Sequence, residues 1–374
     1  MGIQKIGVID ADLIGRKKHR FPNLASMKIS GYHKSKGDSV ELLLSYDGLE
    51  EYDLVYISKV FTDTYIDESI LKLKNVVYGG TGFFYDKAES LPYEIEHSKP
   101  DYDLYLNWVN SMLEKGEKRR DYQYYLDYSI GFTTRGCFRK CPFCVNKNHT
   151  KVNLHSPVDE FLDRDKKYIC LLDDNVLGSP HWKNIFEELN NTGKRFQYKQ
   201  GMDERLLTDE KCKVILSSNY IGDFIFAFDN IDDKDIIEKR LDIWNKNRAI
   251  YGNKSTKFYV LCGFDKNNRY DEDFWRQDII DTFERIKVLM KYKCLPYIMR
   301  YEKFEDSPYR GIYITLASWC NQPSFFKKKS LREYCMAEQA RRSSICASTR
   351  YINHFESQYP DISERYFDMK YEQF

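Results

Sequence analysis

The sequence predicts a mixed α/β protein: a doubly wound parallel sheet over residues 1–90, then a partial (β/α)6, TIM-like barrel over residues 128–304. Three observations predict it. Short apolar runs alternate with amphipathic stretches, the order that builds parallel sheets covered by helices. Glycines at Gly79, Gly80 and Gly82 follow one such run, at the carboxyl end of a strand where open α/β sheets bind ligands. From Tyr128 onward, six apolar runs recur at strand-loop-helix intervals.

In the first domain the expected strands are Ile3 to Ile9, Ser39 to Leu44, Leu54 to Ser58 and Val76 to Tyr78, with a helix from Asn23 to Lys36 closed by Gly37. Residues 91–127 read as a polar, tyrosine-rich connection with one helix, Tyr102 to Lys115, and a solvated basic run at Glu117 to Arg120. The barrel strands are Tyr128 to Thr134, Tyr168 to Leu172, Phe196 to Lys199, Phe224 to Phe228, Lys257 to Leu261 and Leu295 to Arg300. Amphipathic segments Trp182 to Asn191, Asp209 to Ser217, Asp233 to Asn247 and Phe274 to Met290 would cover its outside. Residues 305–374 form a helical extension, with a helix expected from Leu331 to about Tyr351.

The chemistry is concentrated between the first two barrel strands. Cys137, Cys141 and Cys144 stand at C-x3-C-x2-C spacing, which folds three sulfurs around one soft metal centre. Zinc would want a fourth nearby ligand, and His149 and His155 could serve only by loop rearrangement. A disulfide pair suits the chain less: the other seven cysteines, Cys170, Cys212, Cys262, Cys294, Cys320, Cys335 and Cys346, are scattered singly and no signal peptide is evident, as expected of a reducing cytoplasm. A cubane cluster takes four thiolates, so three leave one iron open to a substrate or cosubstrate.

This spacing, with aromatic Phe143 before the last cysteine and a strand before the first, resembles the signature of radical S-adenosylmethionine (SAM) enzymes. The resemblance implies a [4Fe-4S] cluster on the three cysteines that binds SAM. Reductive cleavage then yields a 5′-deoxyadenosyl radical that abstracts hydrogen from a substrate. It further implies roles at the carboxyl ends of the strands, where barrel sites lie. Asp174 and Asn175 would contact the SAM amino group, although Asp173-Asp174-Asn175 replaces the family's Gly-Gly-Glu. Arg205 would fork the carboxylate, Asp229 would bond the ribose, Gly263 would let backbone approach the adenosine, and the backbone at Phe143 would pair the adenine. The polar residues Asp203, Glu204, Asp265, Arg300 and Glu302 on the same face are expected to bind substrate, with Asp203 and Glu204 also candidates for catalysis. Cys320, read as part of a loop near the mouth, is a candidate hydrogen donor.

The first domain resembles the cobalamin-binding domain that precedes many radical SAM cores. Asp10-Ala-Asp12-Leu-Ile-Gly15, Ser58-Lys-Val60 and Gly79-Gly80 stand for its D-x-H-x-x-G, S-x-L and G-G. Asp12 replaces the cobalt-ligating histidine, so the domain reads as a retained Rossmann-like scaffold and cobalamin is not expected.

Composition narrows the partners. With 58 basic and 57 acidic residues, a dedicated nucleic-acid surface is not expected, and a small substrate is favoured. No apolar run is long enough to span a bilayer, so a cytoplasmic protein is expected. The 30 tyrosines and 23 phenylalanines read as compositional bias. The chain as a whole resembles the queuine lyases of queuosine salvage. That implies hydrogen abstraction from queuine and carbon–nitrogen cleavage to 7-aminomethyl-7-deazaguanine (preQ1), with flavodoxin or ferredoxin as reductant. The alternatives are a cobalamin-dependent radical methylase, an RNA-modifying enzyme of the methylthiotransferase type and a non-enzymatic iron–sulfur regulator.

Overall fold

A computed structural model describes residues 2–252 and 254–374. The chain divides into two compact units, one ending at Lys199 and the other beginning at Gln200. Both are mixed α/β with parallel sheets.

The first unit opens with a four-stranded parallel sheet of order β2-β1-β3-β4, made of β1 (Lys5–Asp10), β2 (Ser39–Leu42), β3 (Leu54–Ser58) and β4 (Val76–Gly79). Central β1 is buried on both faces, which is why it reads as a continuous apolar run. It begins at Lys5, leaving Ile3 exposed. The helix Leu24–Ser35 starts where Asn23 accepts a hydrogen bond from the Ser26 N–H, and Gly37 follows it with φ +88°.

One core cluster joins Ile6, Val8, Met27 and Ile29 to Ile95, Tyr102, Leu104, Tyr105, Val109, Tyr122 and Tyr125, so the 91–127 stretch packs onto the sheet. Its expected helix runs only from Leu106 to Glu114. Upstream, Asp101 accepts from the Asp103 N–H, turning the backbone, while the Tyr102 hydroxyl accepts from the Ile130 N–H.

Next come β5 (Tyr128–Gly131), the short antiparallel pair β6 (Thr134–Arg135) and β7 (Asn153–Leu154), then β8 (Tyr168–Leu171) and β9 (Arg195–Tyr198). Strands β5, β8 and β9 form a parallel sheet in that order. The strand expected to reach Thr134 therefore stops at Gly131. The cause is Asp173, fully buried, which draws Thr133 and Thr134 out of line by accepting from both N–H groups and both hydroxyls at 2.6–3.1 Å.

The second unit holds β10 (Phe224–Ala227), β11 (Thr256–Cys262) and β12 (Leu295–Arg300), parallel and in that order, with helices Asp209–Ser217, Lys234–Tyr251 and Glu272–Lys291. The barrel's six expected strands are thus all present, as two three-stranded sheets. The helix expected from Leu331 to Tyr351 is two helices, Leu331–Gln339 and Ala347–Gln358. The Gln339 side chain stitches the break, accepting from the Cys346 N–H and donating to the Ser344 carbonyl. Among the described residues no helix is long and apolar enough to cross a membrane.

Candidate functional site

The cysteine loop leaves β6 at Gly136 and returns at β7. Gly136 has φ +94°, and a side-chain carbon there would come within 2.7 Å of the Lys151 carbonyl and 2.9 Å of the His149 ring. Only glycine fits both demands. Lys140 also has a positive φ, +51°.

Asp174 closes the loop. One carboxylate oxygen accepts from the Gly136 N–H at 2.7 Å, ahead of Cys137, and the other from Asn146 Nδ2 at 2.6 Å, beyond Cys144. One side chain therefore ties together both ends of the segment carrying the thiols. The three cysteines form no disulfide and are half-buried. N–H groups aim at the sulfurs: Arg139 N at 3.5 Å and Asn175 Nδ2 at 3.4 Å on Cys137, and Asn146 N at 3.4 Å on Cys144. Such donors stabilise negative sulfur. Burial raises the Cys144 thiol above its ordinary value.

Three half-buried thiols on one loop, with N–H donors on Cys137 and Cys144, suit an iron–sulfur cluster. Among the described residues, however, no three His, Cys, Asp or Glu side chains are gathered at metal-binding distance. The zinc reading loses His155, whose Nε2 pairs with Glu96 at 3.1 Å and whose Nδ1 bonds the Ser156 hydroxyl at 2.9 Å.

The remaining candidates of the first unit have tasks within the chain. Asp174 and Asn175 serve the cysteine loop, and the Phe143 carbonyl accepts from the Tyr85 hydroxyl at 2.9 Å. Asp12, at the position of the cobalt ligand in the resemblance, is fully buried; it accepts from the Val60 N–H at 2.7 Å and the Thr64 hydroxyl at 2.5 Å. A side-chain carbon on Gly80 would lie 2.3 Å from the Lys59 carbonyl, so the chain itself packs against that glycine.

In the second unit the polar strand ends are also largely spent internally. Arg205 pairs with Asp203 and with Asp233, each at 2.8 Å, so its guanidinium is already forked by the chain's own carboxylates. Glu204 is 1% exposed; its Oε2 accepts from the Ala227 N–H at 3.3 Å and its Oε1 has no partner among the described residues. Burial, with Asp203 adding to it, pushes this carboxyl well above the usual range.

Asp229 accepts from the Leu261 N–H at 3.0 Å, and surrounding protein raises its carboxyl as well. Gly263 has φ +77°, and its N–H donates to Asp278 at 2.8 Å. Asp265 shapes its own turn, accepting from the Asn267 and Arg269 N–H groups; these outweigh burial and hold it below its ordinary value. Arg300 and Glu302 are exposed, with Arg300 over the Phe304 ring at 4.5 Å. Cys320 corrects its expectation: it ends the helix Arg310–Cys320, is fully buried, and its thiol is pushed far up by desolvation. The helix continues through Trp319-Cys320 because the apolar face of 310–320 is drawn into the core, leaving no loop at that position.

Two residues behind this site lay outside the sequence-based candidates. Asp278 accepts from Gly263 and from the Tyr313 hydroxyl, and Arg285 donates to the carbonyls of Phe228, Asp229 and Leu261. The signal was present: both interrupt the buried face of the helix Glu272–Lys291, seven residues apart.

No protein-family model matches the sequence, and no curated protein matches it significantly. Among solved structures, apo OxsB, a cobalamin-dependent S-adenosylmethionine radical enzyme, matches with a TM-score of 0.37 and 14% identity, over 80% of this chain and 49% of that one. OxsB with aqua-cobalamin bound gives 0.37 and 13%, over 97% and 56%. Streptococcus suis SuiB gives 0.35 and 12%, over 69% and 65%. The chain spans about half the length of the OxsB structures it matches. At these scores the likeness establishes neither family nor cofactor for this chain.

Proposed function

We propose that the chain is a radical SAM enzyme in which Cys137, Cys141 and Cys144 hold a [4Fe-4S] cluster and a small molecule is the substrate. The observation that supports it best is the cysteine loop: three half-buried thiols outside any disulfide at C-x3-C-x2-C spacing, N–H donors on Cys137 and Cys144, and Asp174 tying the loop's ends together. When bound, the cluster and SAM supply a radical able to take a hydrogen atom from carbon. The chain's own part is to order the thiols and tune their charge through the Arg139, Asn146 and Asn175 donors.

For the substrate we propose queuine, cleaved at its carbon–nitrogen bond to preQ1. This rests on the chain-wide resemblance and on the near-neutral charge balance, which suits a free base better than a whole tRNA. We read the first domain as a scaffold without a corrinoid, because Asp12 is committed to Val60 and Thr64. The test is anaerobic reconstitution with iron and sulfide, then SAM, queuine and dithionite in place of flavodoxin or ferredoxin. Co-production of 5′-deoxyadenosine and preQ1 is expected. Deoxyadenosine alone would discard queuine, neither product in protein with a confirmed cluster would discard the enzyme, and a corrinoid spectrum in purified protein would overturn the scaffold reading.

A further inference from the structure

Tyr85 stands out in the first unit. It follows the short helix Thr81–Phe84 with φ +49° and ψ −119°, a conformation that a non-glycine residue keeps only where its surroundings impose it. Burial does not impose it, since Tyr85 is 39% exposed. What surrounds it is the cysteine loop. Its hydroxyl donates to the Phe143 carbonyl at 2.9 Å, and the Lys147 ammonium lies 5.7 Å from its ring centre. The next residue, Asp86, offers its carbonyl to Asn148 Nδ2 at 2.7 Å. Two consecutive residues just past β4 thus reach three loop residues, one before Cys144 and two after it. Asp174 holds the loop from the β8 side at Gly136 and Asn146, and two local turns, Cys144 N–H to the Cys141 carbonyl at 2.9 Å and Lys147 N–H to the Val145 carbonyl at 3.0 Å, lie within it; Tyr85 and Asp86 grip it from the β4 side at Phe143 and Asn148.

We propose that Tyr85 and Asp86 form a clamp, carried by the first domain, that sets the conformation of the cysteine loop around Cys144, with Tyr85 as a positioning residue. The first domain then has a task that needs no cofactor of its own. The clamp's consequence for a cluster rests on the proposed function; its existence does not.

The test is amide hydrogen exchange in reduced, cluster-free protein, comparing wild type, Tyr85→Phe, the Tyr85→Phe/Asn148→Ala pair and a Tyr78→Phe control on exposed β4. Losing one phenol–carbonyl bond should speed exchange over 143–148 by about threefold to tenfold, and the pair should speed it further. Tyr78→Phe should leave it unchanged, and the unfolding midpoint should hold in all. Unaltered exchange in both Tyr85 variants would overturn the clamp. If exchange responds but the wild type assembles no cluster, the clamp stands and the cluster reading falls. If both stand, Tyr85→Phe should also change the electron paramagnetic resonance line shape of the reduced cluster.

Discussion

The cysteine loop and the polar strand ends of the second unit are organised in opposite ways. The loop has almost no regular structure; it is held by side chains, Asp174 on Gly136 and Asn146 and Tyr85 on the Phe143 carbonyl, and its thiols stay half-buried. The second unit places its acids beside regular elements, Asp203 and Asp265 in the loops past strands and Asp278 on the helix Glu272–Lys291, yet they are turned inward: Asp203 to Arg205, Asp265 to its own turn, Asp278 to Gly263. Reactive groups are left available where the backbone is irregular, whereas polar groups at the ends of packed strands are consumed in satisfying the fold.

The largest effect expected is at the loop. Cys141→Ala should abolish iron–sulfur absorbance and reduce 5′-deoxyadenosine more than about 100-fold, a loss equivalent to roughly 2.7 kcal/mol or more, while leaving the unfolding midpoint unchanged. An active Cys141→Ala protein would erase the contrast.

Arg285→Met tests the other side. It would strip three carbonyls, one buried and two part-buried, of the Arg285 donor, and a loss of about 3–5 kcal/mol is expected in urea unfolding. A change under 1 kcal/mol would mean that the second unit is less committed to its internal bonds than the geometry implies.

Glu96 gives a pH test. Burial opposes its charge, but His155 and Lys28 hold its pKa down to about 2 from 4.5. A carboxyl depressed on folding stabilises the fold above its unfolded pKa and loses that contribution as pH falls from about 4.5 through about 2. Glu96→Gln should flatten the stability–pH curve in that window by on the order of 2 kcal/mol after allowance for partial screening. An unchanged curve would mean that the pairing of Glu96 with His155 and Lys28 adds nothing to stability.

The smallest effect is assigned to Cys320. Cys320→Ala should cost on the order of 1 kcal/mol as a small buried cavity, with deoxyadenosine and product formation within about twofold. A tenfold loss of product with deoxyadenosine retained would restore the thiol as a hydrogen donor.

Much of the fold was legible because it depends on local periodicity. Leu54–Ser58, Leu295–Arg300, Trp182–Asn191 and Asp209–Ser217 fall within their expected bounds, since their apolar spacing and end signals lie inside the element. The strand truncated at Gly131 and the helix broken at Gln339 did not, because Asp173 is some 40 residues from the threonines it diverts and Gln339 bonds across a gap. The candidate site divides likewise. Thiol spacing and the need for glycine at 136 are properties of a few consecutive residues. Whether a polar residue at a strand end faces solvent or its own fold depends on partners distant in sequence, as with Arg205 and Asp233 or Gly263 and Asp278.

By itself, then, the sequence determined the strand and helix order and the three-thiol spacing, because both are encoded over short stretches of chain. Only the tertiary structure decided that Asp174 closes the cysteine loop, that Cys320 lies in the core and that Tyr85 reaches Phe143. Each of those depends on two segments meeting in space, and a hydrogen bond across 58 residues leaves no mark in local pattern.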